Sequence, residues 1–276
     1  MKLLSWNIAH RQDAWRHLLD SDADIALLQE AAEPPPDVAS RIMVDPAPWL
    51  TCAVGSSRPW RTCVAQLTDR FKVNWIKPVS IEKAMPGDFV VSRLGTLAIA
   101  DISDSQGKIC TVSSMYSLWE KPHPSISGKF IYADASAHRL LSDLSVIVDQ
   151  QEKHKIIVAG DLNILHGHGE HGSSYWKSRY DTVFQRMHAL GFCFAGPQAP
   201  NGRQPSPWPT ELPHSSKNIP TYHTGQQSPY TATRQLDFVF VSNSLAQNTH
   251  VKAMNHPDQW GPSDHCRIEI NLVSYP

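Results

Sequence analysis

Apolar residues in this chain come in short blocks, and their spacing separates strands from helices. KLLSWNI near the N-terminus reads as a buried strand. In the next segment, RQDAWRHLLD, the positions Ala14, Trp15, Leu18 and Leu19 recur at helical spacing. DIALLQE predicts a second apolar strand that stops at Glu30, and AEPPPD interrupts the chain because a run of prolines continues neither a helix nor a central strand. Between residues 62 and 114, TCVAQL, FKVNWI, DFVVSR, LAIADI and ICTVSS are rich in Val, Ile and Thr and are separated by Gly, Pro, Asp and Ser, which predicts antiparallel strands.

Further on, Ala137, Leu140, Leu141, Leu144, Ile147 and Val148 repeat at three and four residues, so 134–151 is expected to be an amphipathic helix lying on a sheet. KIIVAGD follows as a strand. Tyr180, Val183, Phe184, Met187 and Leu190 form another helical stripe, with Gly191 where a left-handed C-terminal cap belongs. LDFVFVS and HCRIEINLV are expected strands near the C-terminus. The segment 196–234 fits neither period: it holds eight of the 21 prolines, the basic residues Arg203, Lys217 and Arg234, and a single acid, Glu211. It is expected to be a Pro-rich loop insertion, either a binding element or a surface segment without a role.

Composition narrows the class. A chain of 276 residues with 41% hydrophobic content can bury a sizeable core, and one domain spanning 1–276 is the simplest organisation. The formal net charge of −1 does not mark the whole molecule as a polyanion binder, so such a site would be a local patch or would use a metal ion. Five cysteines without any CxxC spacing point away from a disulfide framework and from a zinc knuckle. Neither a signal peptide nor an apolar run approaching the roughly 20 residues of a membrane span is present, so a soluble cytoplasmic protein with no membrane partner is expected.

Five apolar strands share one peculiarity, a polar residue at the end of a buried run: Asn7, Glu30, Asp161 with Asn163, Asp237, and Asp264 with His265. Taken singly, each can be a turn residue or a helix cap. Taken together they suggest carboxylates gathered around a cation, because an unpaired buried carboxylate is expensive. An oxygen-rich set with one imidazole suits Mg²⁺ or Mn²⁺ and suits Zn²⁺ poorly. His166, His168 and His171 in the loop GDLNILHGHGEHG alternate with glycines, whose flexibility makes a preorganised histidine cage costly. Asp161 and Asn163 are therefore the better candidates in that segment.

SWN, LLQE, GDLN, RQLDFVFVS and SDH stand in an order and spacing that resembles the endonuclease/exonuclease/phosphatase superfamily, from residue 5 to residue 265. The resemblance implies a four-layer α/β sandwich, two mixed β-sheets face to face flanked by helices, with the active site at one edge. It also implies a phosphodiesterase that uses Mg²⁺, with Mn²⁺ as an alternative. By resemblance Glu30 is the central metal ligand, helped by Asn7 and Asp264. Asp161 would orient and deprotonate water, Asn163 and His265 would donate to phosphate oxygens, and Asp237 would hold the proton and orientation of His265. Tyr116 in SSMYSLW resembles the tyrosine of the abasic-site and retrotransposon-type enzymes, where other branches carry histidine. Ala9, two positions after Asn7, departs from the abasic-site pattern, which has an acid there.

Arg234, Trp176 and Trp208 are further candidates for substrate contact, because arginine suits a phosphate backbone and tryptophans stack on bases. Nucleic acid is the expected partner, DNA before RNA, and endonucleolytic cleavage is the expected reaction. The alternatives are a phosphatase or phosphodiesterase for a small-molecule or lipid ester, and a catalytically silent scaffold.

Overall fold

The computed structural model describes residues 1–53, 56–119, 125, 127, 132–149 and 153–273. In chain order the strands are β1 Lys2–Asn7, β2 Ile25–Ala32, β3 Met43–Val44, β4 Thr51–Ala53, β5 Ser56–Arg58, β6 Trp60–Gln66, β7 Lys72–Ile76, β8 Pro78–Ser80, β9 Phe89–Val91, β10 Leu97–Asp104, β11 Gly107–Tyr116, β12 Ile156–Asp161, β13 Phe192–Gly196, β14 Asp237–Ser242, β15 Thr249–Met254 and β16 Arg267–Leu272. The α-helices are α1 Gln12–Leu19, α2 Pro36–Ala39, α3 Ala133–Leu144 and α4 Ser174–Ala189. Two six-stranded mixed sheets form the body, ordered β15-β16-β1-β2-β6-β3 and β13-β14-β12-β11-β10-β7. The pairs β1/β2 and β11/β12 are parallel, and their neighbours are antiparallel.

Alternation along the central strands sorts side chains into layers. Leu3, Ile25, Leu27 and Val64 of the first sheet meet Ala100, Val112, Ile157, Ala159, Val239 and Val241 of the second in a buried inter-sheet layer. The opposite faces are covered by helices: Leu4, Trp6, Ala26 and Leu28 pack with Trp15 and Leu18 of α1. Val158, Phe238 and Phe240 pack with Leu140, Leu141, Val183 and Met187 of α3 and α4. This is the expected four-layer sandwich, and its driving force is the burial of both faces of each sheet, about 1.5–3 kcal/mol for each large apolar side chain.

Local differences from the sequence reading have physical reasons. The helix expected over 134–151 ends at Leu144 and continues as a single 3₁₀ turn, Ser145–Ile147, with Val146 66% exposed. Positions 150 and 151 of that prediction lie outside the described residues. Ile147 and Val148 still pack against the core that α3 covers, and a β-branched run such as 146–148 favours continuation of the α-helix less than the unbranched residues before it. DFVVSR does not join the antiparallel set: β9 pairs in parallel with β8 in a separate two-stranded ribbon. The edge strands β13 and β15 carry too short or too polar a pattern to stand out, and tertiary pairing with β14 and β16 creates them.

The Pro-rich segment is tied down at many points. Asn255 donates from Nδ2 to the carbonyls of Arg203 and Pro220, at 2.8 and 3.0 Å, and Asn218 donates to the His166 carbonyl at 2.7 Å. Among the described residues no helix is long and apolar enough to cross a membrane.

Gly160 shows how the fold places a motif residue. It lies in β12 beside β11 with φ +154°, and a Cβ there would come 1.8 Å from the Met115 carbonyl oxygen. No side chain fits between these backbones. Gly160→Ala is therefore expected to lower stability by about 3 kcal/mol or more, read as a fall in the thermal midpoint, because both strands would have to part. The same variant should lose activity, since this contact sets Tyr116 opposite Asp161.

Candidate active site

The site follows from the period-2 alternation. Leu3, Ser5 and Asn7 share one face of β1, Ile157, Ala159 and Asp161 one face of β12, and Asp237, Val239 and Val241 one face of β14, all directed between the sheets. β1 and β2 run in parallel, as do β11 and β12, while β14 is antiparallel to β12. The polar end of each run therefore falls at the same edge of the sandwich. His265, just before β16, reaches that edge because β16 is antiparallel to β1.

Glu30 arrives differently. The β2/β6 register slips between Leu28↔Cys63 and Ala31↔Arg61, a bulge that inserts one residue. Glu30 sits in it with φ +46°, and Asn163 has φ +50° just beyond β12. Left-handed backbone at a residue other than glycine costs about 1–3 kcal/mol and is tolerated where surrounding contacts impose it. Here the bulge turns the Glu30 carboxylate into the inter-sheet edge, where a regular strand would place it on the α1 side.

Hydrogen bonds join the set into one network. Tyr116 donates its hydroxyl to Glu30 Oε1 at 2.6 Å, and His10 Nε2 lies 3.0 Å from Glu30 Oε2. Asn7 Nδ2 bridges two carboxylates, reaching Glu30 Oε1 at 3.3 Å and Asp161 Oδ2 at 3.0 Å. Asp161 also accepts from the Asn163 backbone at 2.8 Å and from Asn163 Nδ2 at 3.2 Å. His265 Nδ1 is 2.8 Å from Asp237 Oδ2, and its Nε2 is 3.8 Å from Asp161 Oδ2. Asp161, Asp237 and His265 are all buried, whereas the Glu30 side chain retains 20% exposure.

Electrostatics divides the carboxylates. Burial, together with the Asp237 and Glu30 charges, holds the Asp161 carboxyl well above the usual range, against the opposing pull of His265 and the Asn163 N–H. Burial also opposes ionisation of Glu30, but hydrogen bonds from His10, Tyr116 and Asn7 and the His265 charge outweigh it and leave its pKa lowered. For His265, burial disfavours the cation, yet Asp237 and Asp161 more than compensate and raise its pKa. Burial and the Glu30 and Asp161 charges raise the Tyr116 phenol, which keeps its proton.

Four carboxyl groups, Glu30, Asp161, Asp237 and Asp264, therefore crowd an edge whose buried cations are His265 and, within electrostatic reach of Glu30 and Tyr116, Arg58. Such an excess of negative charge in oxygen donors fits a hard divalent ion. Among the described residues no three His, Cys, Asp or Glu side chains are already arranged as a cage, and both Glu30 oxygens are held by protein donors. The Asp264 side chain is half-buried, with Ser263 Oγ 3.3 Å from its Oδ1.

Asn7, Glu30, Tyr116, Asp161, Asn163, Asp237 and His265 thus lie in one connected cluster, with Asp264 adjoining it in sequence. The other candidates make no hydrogen bond within that cluster. Arg234 forms an ion pair with Glu170 of the histidine-rich loop. Trp208 donates its indole N–H to the Leu212 carbonyl at 2.9 Å, inside the Pro-rich segment. Trp176 belongs to an aromatic group with Tyr132, at 4.5 Å between centroids. In the loop, the His166 ring packs 4.5 Å from Phe184 and 4.7 Å from Phe194 and so serves the core.

Two site residues escaped the sequence reading. His10 is one; its only signal is a position three residues beyond Asn7. Tyr222 is the other. Its ring lies 4.8 Å from that of His265, and burial with the Asp264, Asp161 and Glu30 charges raises its phenol pKa. It comes from the Pro-rich segment, where no local pattern distinguishes it.

Fold and site together define a phosphoester hydrolase of the α/β-sandwich type. Residues 4–265 match the Endonuclease/Exonuclease/phosphatase family, and the chain belongs to that family, whose enzymes generally use divalent metal ions. No curated protein matches the chain at a significant level by sequence. Among solved structures, the endonuclease domain of TRAS1, a telomere-specific non-LTR retrotransposon, is 15% identical with a TM-score of 0.60, covering 100% of this chain and 99% of that one. The abasic-site (AP) endonuclease LMAP from Leishmania major is 15% identical with a TM-score of 0.65, covering 99% of this chain and 88% of that one. The 3′-5′ exonuclease NExo from Neisseria meningitidis is 17% identical with a TM-score of 0.58, covering 99% of this chain and 100% of that one. At such identities the likeness concerns the fold alone.

Proposed function

We propose that the chain, with residues 1–276 acting as one catalytic domain, is a Mg²⁺-dependent nuclease. It hydrolyses phosphodiester bonds in nucleic acid, DNA before RNA, by in-line attack of water within the strand, and leaves a 5′-phosphate and a 3′-hydroxyl. The observation that carries this reading is the continuous chain of contacts Asp237–His265–Asp161–Asn7–Glu30–Tyr116 at the sheet edge. Similar folds include an AP endonuclease, a 3′-5′ exonuclease and a 3′ phosphatase, the last of them solved bound to a product DNA hairpin, which supports a nucleic-acid substrate.

Roles follow from the chemistry of each group. Asp161, with a raised pKa and three donors fixing its orientation, orients the attacking water and takes its proton. His265, held as a cation by Asp237, donates to a non-bridging phosphate oxygen as charge builds there. Tyr116 and Asn163 donate from the other side, exchanging their present carboxylate contacts for the phosphate. Glu30, Asn7 and Asp264 would hold the Mg²⁺. When bound, the ion supplies Lewis-acid stabilisation of the phosphate and of the leaving oxygen.

The test is a substrate panel with Mg²⁺ and with chelator: supercoiled plasmid, abasic duplex, single-stranded DNA, RNA, a chromogenic phosphodiester and inositol phosphates. Cleavage of nucleic acid that chelator abolishes and Mg²⁺ restores is the expected outcome. Cleavage of inositol phosphates alone would establish the small-molecule reading instead, and absence of all turnover with metal present would sink the enzymatic proposal.

A further inference from the structure

Beside the catalytic edge lies a group of exposed aromatic side chains that hydrolysis itself does not need. Trp119 and Tyr132 are 46% and 47% exposed, and Tyr175 is 60% exposed. Ring centroids link them in series: Trp119 to Tyr132 at 6.2 Å, Tyr132 to Trp176 at 4.5 Å, and Trp176 to Tyr175 at 5.1 Å. The Arg179 guanidinium lies 5.5–6.0 Å from the centroids of Tyr132, Tyr175 and Trp176. The group is continuous with the site. Trp119 follows Tyr116 by three residues, and the intervening Ser117 accepts from Asn163 Nδ2 at 3.0 Å and donates to the Ala133 carbonyl, next to Tyr132, at 2.5 Å.

Three basic side chains on and around helix α4 are already engaged within the protein. Arg179 is paired with Asp134 at 2.6 Å, Lys177 with Asp181 at 2.5 Å, and Arg234 with Glu170. Because these three cations are paired, the aromatic group has little to offer a row of backbone phosphates. It offers ring faces and edges, and a base can use these only when it is not already stacked and paired in a duplex.

We propose that Trp119, Tyr132, Tyr175 and Trp176 form a stacking platform for unpaired nucleobases next to the scissile phosphate. Single-stranded or frayed nucleic acid is then the substrate class, rather than closed duplex. The proposal rests on the nuclease reading and specifies its substrate. A second consequence is a shallow salt dependence of binding, because few counterions are released when stacking supplies the affinity.

The test measures fluorescence anisotropy with the Asp161→Asn protein, Mg²⁺, and three probes of equal length: a single strand, a blunt duplex, and a strand of abasic units. The single strand is expected to bind at least about tenfold more tightly than either other probe. Trp119→Ala and Tyr175→Ala, each added to that background, are expected to weaken single-strand binding by about 5- to 150-fold, and Trp119→Phe to retain most of it. Equal affinity for single strand and duplex, or for the abasic strand, overturns the platform, as does equal binding by the alanine variants. Wild-type hydrolysis of the chromogenic diester separates the two failures. Turnover combined with equal affinities sinks the platform alone, whereas stacking without turnover of any phosphoester sinks the nuclease reading.

Discussion

Replacing Asp161 with Asn is expected to lower kcat for phosphodiester hydrolysis by about 10² to 10⁴-fold, the range lost when a positioned general base is removed. The amide preserves the size of the side chain and its acceptor for the Asn163 backbone N–H, while the Nδ2 groups of Asn7 and Asn163 lose the acceptor that Oδ2 gave them. What disappears is the proton acceptor. The Mg²⁺ concentration giving half-maximal rate should stay nearly constant, which separates loss of the base from loss of the ion.

Stability should move the other way. A carboxyl whose folded-state pKa is raised stabilises the fold fully below its unfolded value, near 4, and loses that contribution as pH rises through its folded value. In metal-free buffer the Asp161→Asn protein is therefore expected to melt above wild type at pH 8, with the difference shrinking toward pH 4. An unchanged kcat would remove Asp161 from the mechanism. A lower melting temperature at pH 8 would contradict the crowding of negative charge that the site displays.

The second large effect concerns Arg61. Its Nη1 lies 2.6 Å from Asp45 Oδ1 and donates to the Thr62 carbonyl at 2.9 Å, while Nη2 donates to the Asp45 carbonyl at 2.9 Å. Asp45 Oδ2 accepts the Val64 N–H at 3.0 Å, and the guanidinium lies 4.1 Å from the Trp49 ring centroid. Side-chain exposure is 1% for Arg61 and 7% for Asp45. Arg61→Ala leaves a buried carboxylate without its counter-charge and should cost about 3–5 kcal/mol, a fall of about 6–20 °C in the thermal midpoint. The double variant Arg61→Met, Asp45→Leu should recover much of that, because an apolar pair of similar volume avoids the desolvation penalty.

Arg61 also pairs with Ala31 across the bulge that aims Glu30. The single variant should therefore lose activity at temperatures where it is still folded. A midpoint within a degree of wild type would show that the ion pair is not what holds this corner.

Much of this was legible in one dimension. LLSWN, IIVAGD and LDFVFV read as buried strands with Asn7, Asp161 and Asp237 at their polar ends, and the family motifs ordered them. The helical stripes ended near where they were expected, except where Ser145–Ile147 tighten into a 3₁₀ turn. The structure sets Asp237 Oδ2 2.8 Å from His265 Nδ1, the two residues that the family motifs pair.

Other features have no local signature. The position of Glu30 depends on an extra residue in β2 measured against β6, a relation between strands some 30 residues apart in sequence. His10 and Tyr222 reach the site through a left-handed turn and a long, tied-down loop, and neither has a periodicity to betray it. The ion pairs of Arg234 with Glu170 and of Arg179 with Asp134 redirect residues that, read as letters, look available to a phosphate.

By itself, the sequence determined which faces are apolar and which strand ends are polar, since these properties depend only on residue type and on a fixed backbone repeat. Tertiary structure alone decided which of those ends meet, which charges are already neutralised, and which rings stay exposed. Each of these is a distance between segments remote in the chain, and Coulomb and packing energies depend on that distance rather than on the order of residues.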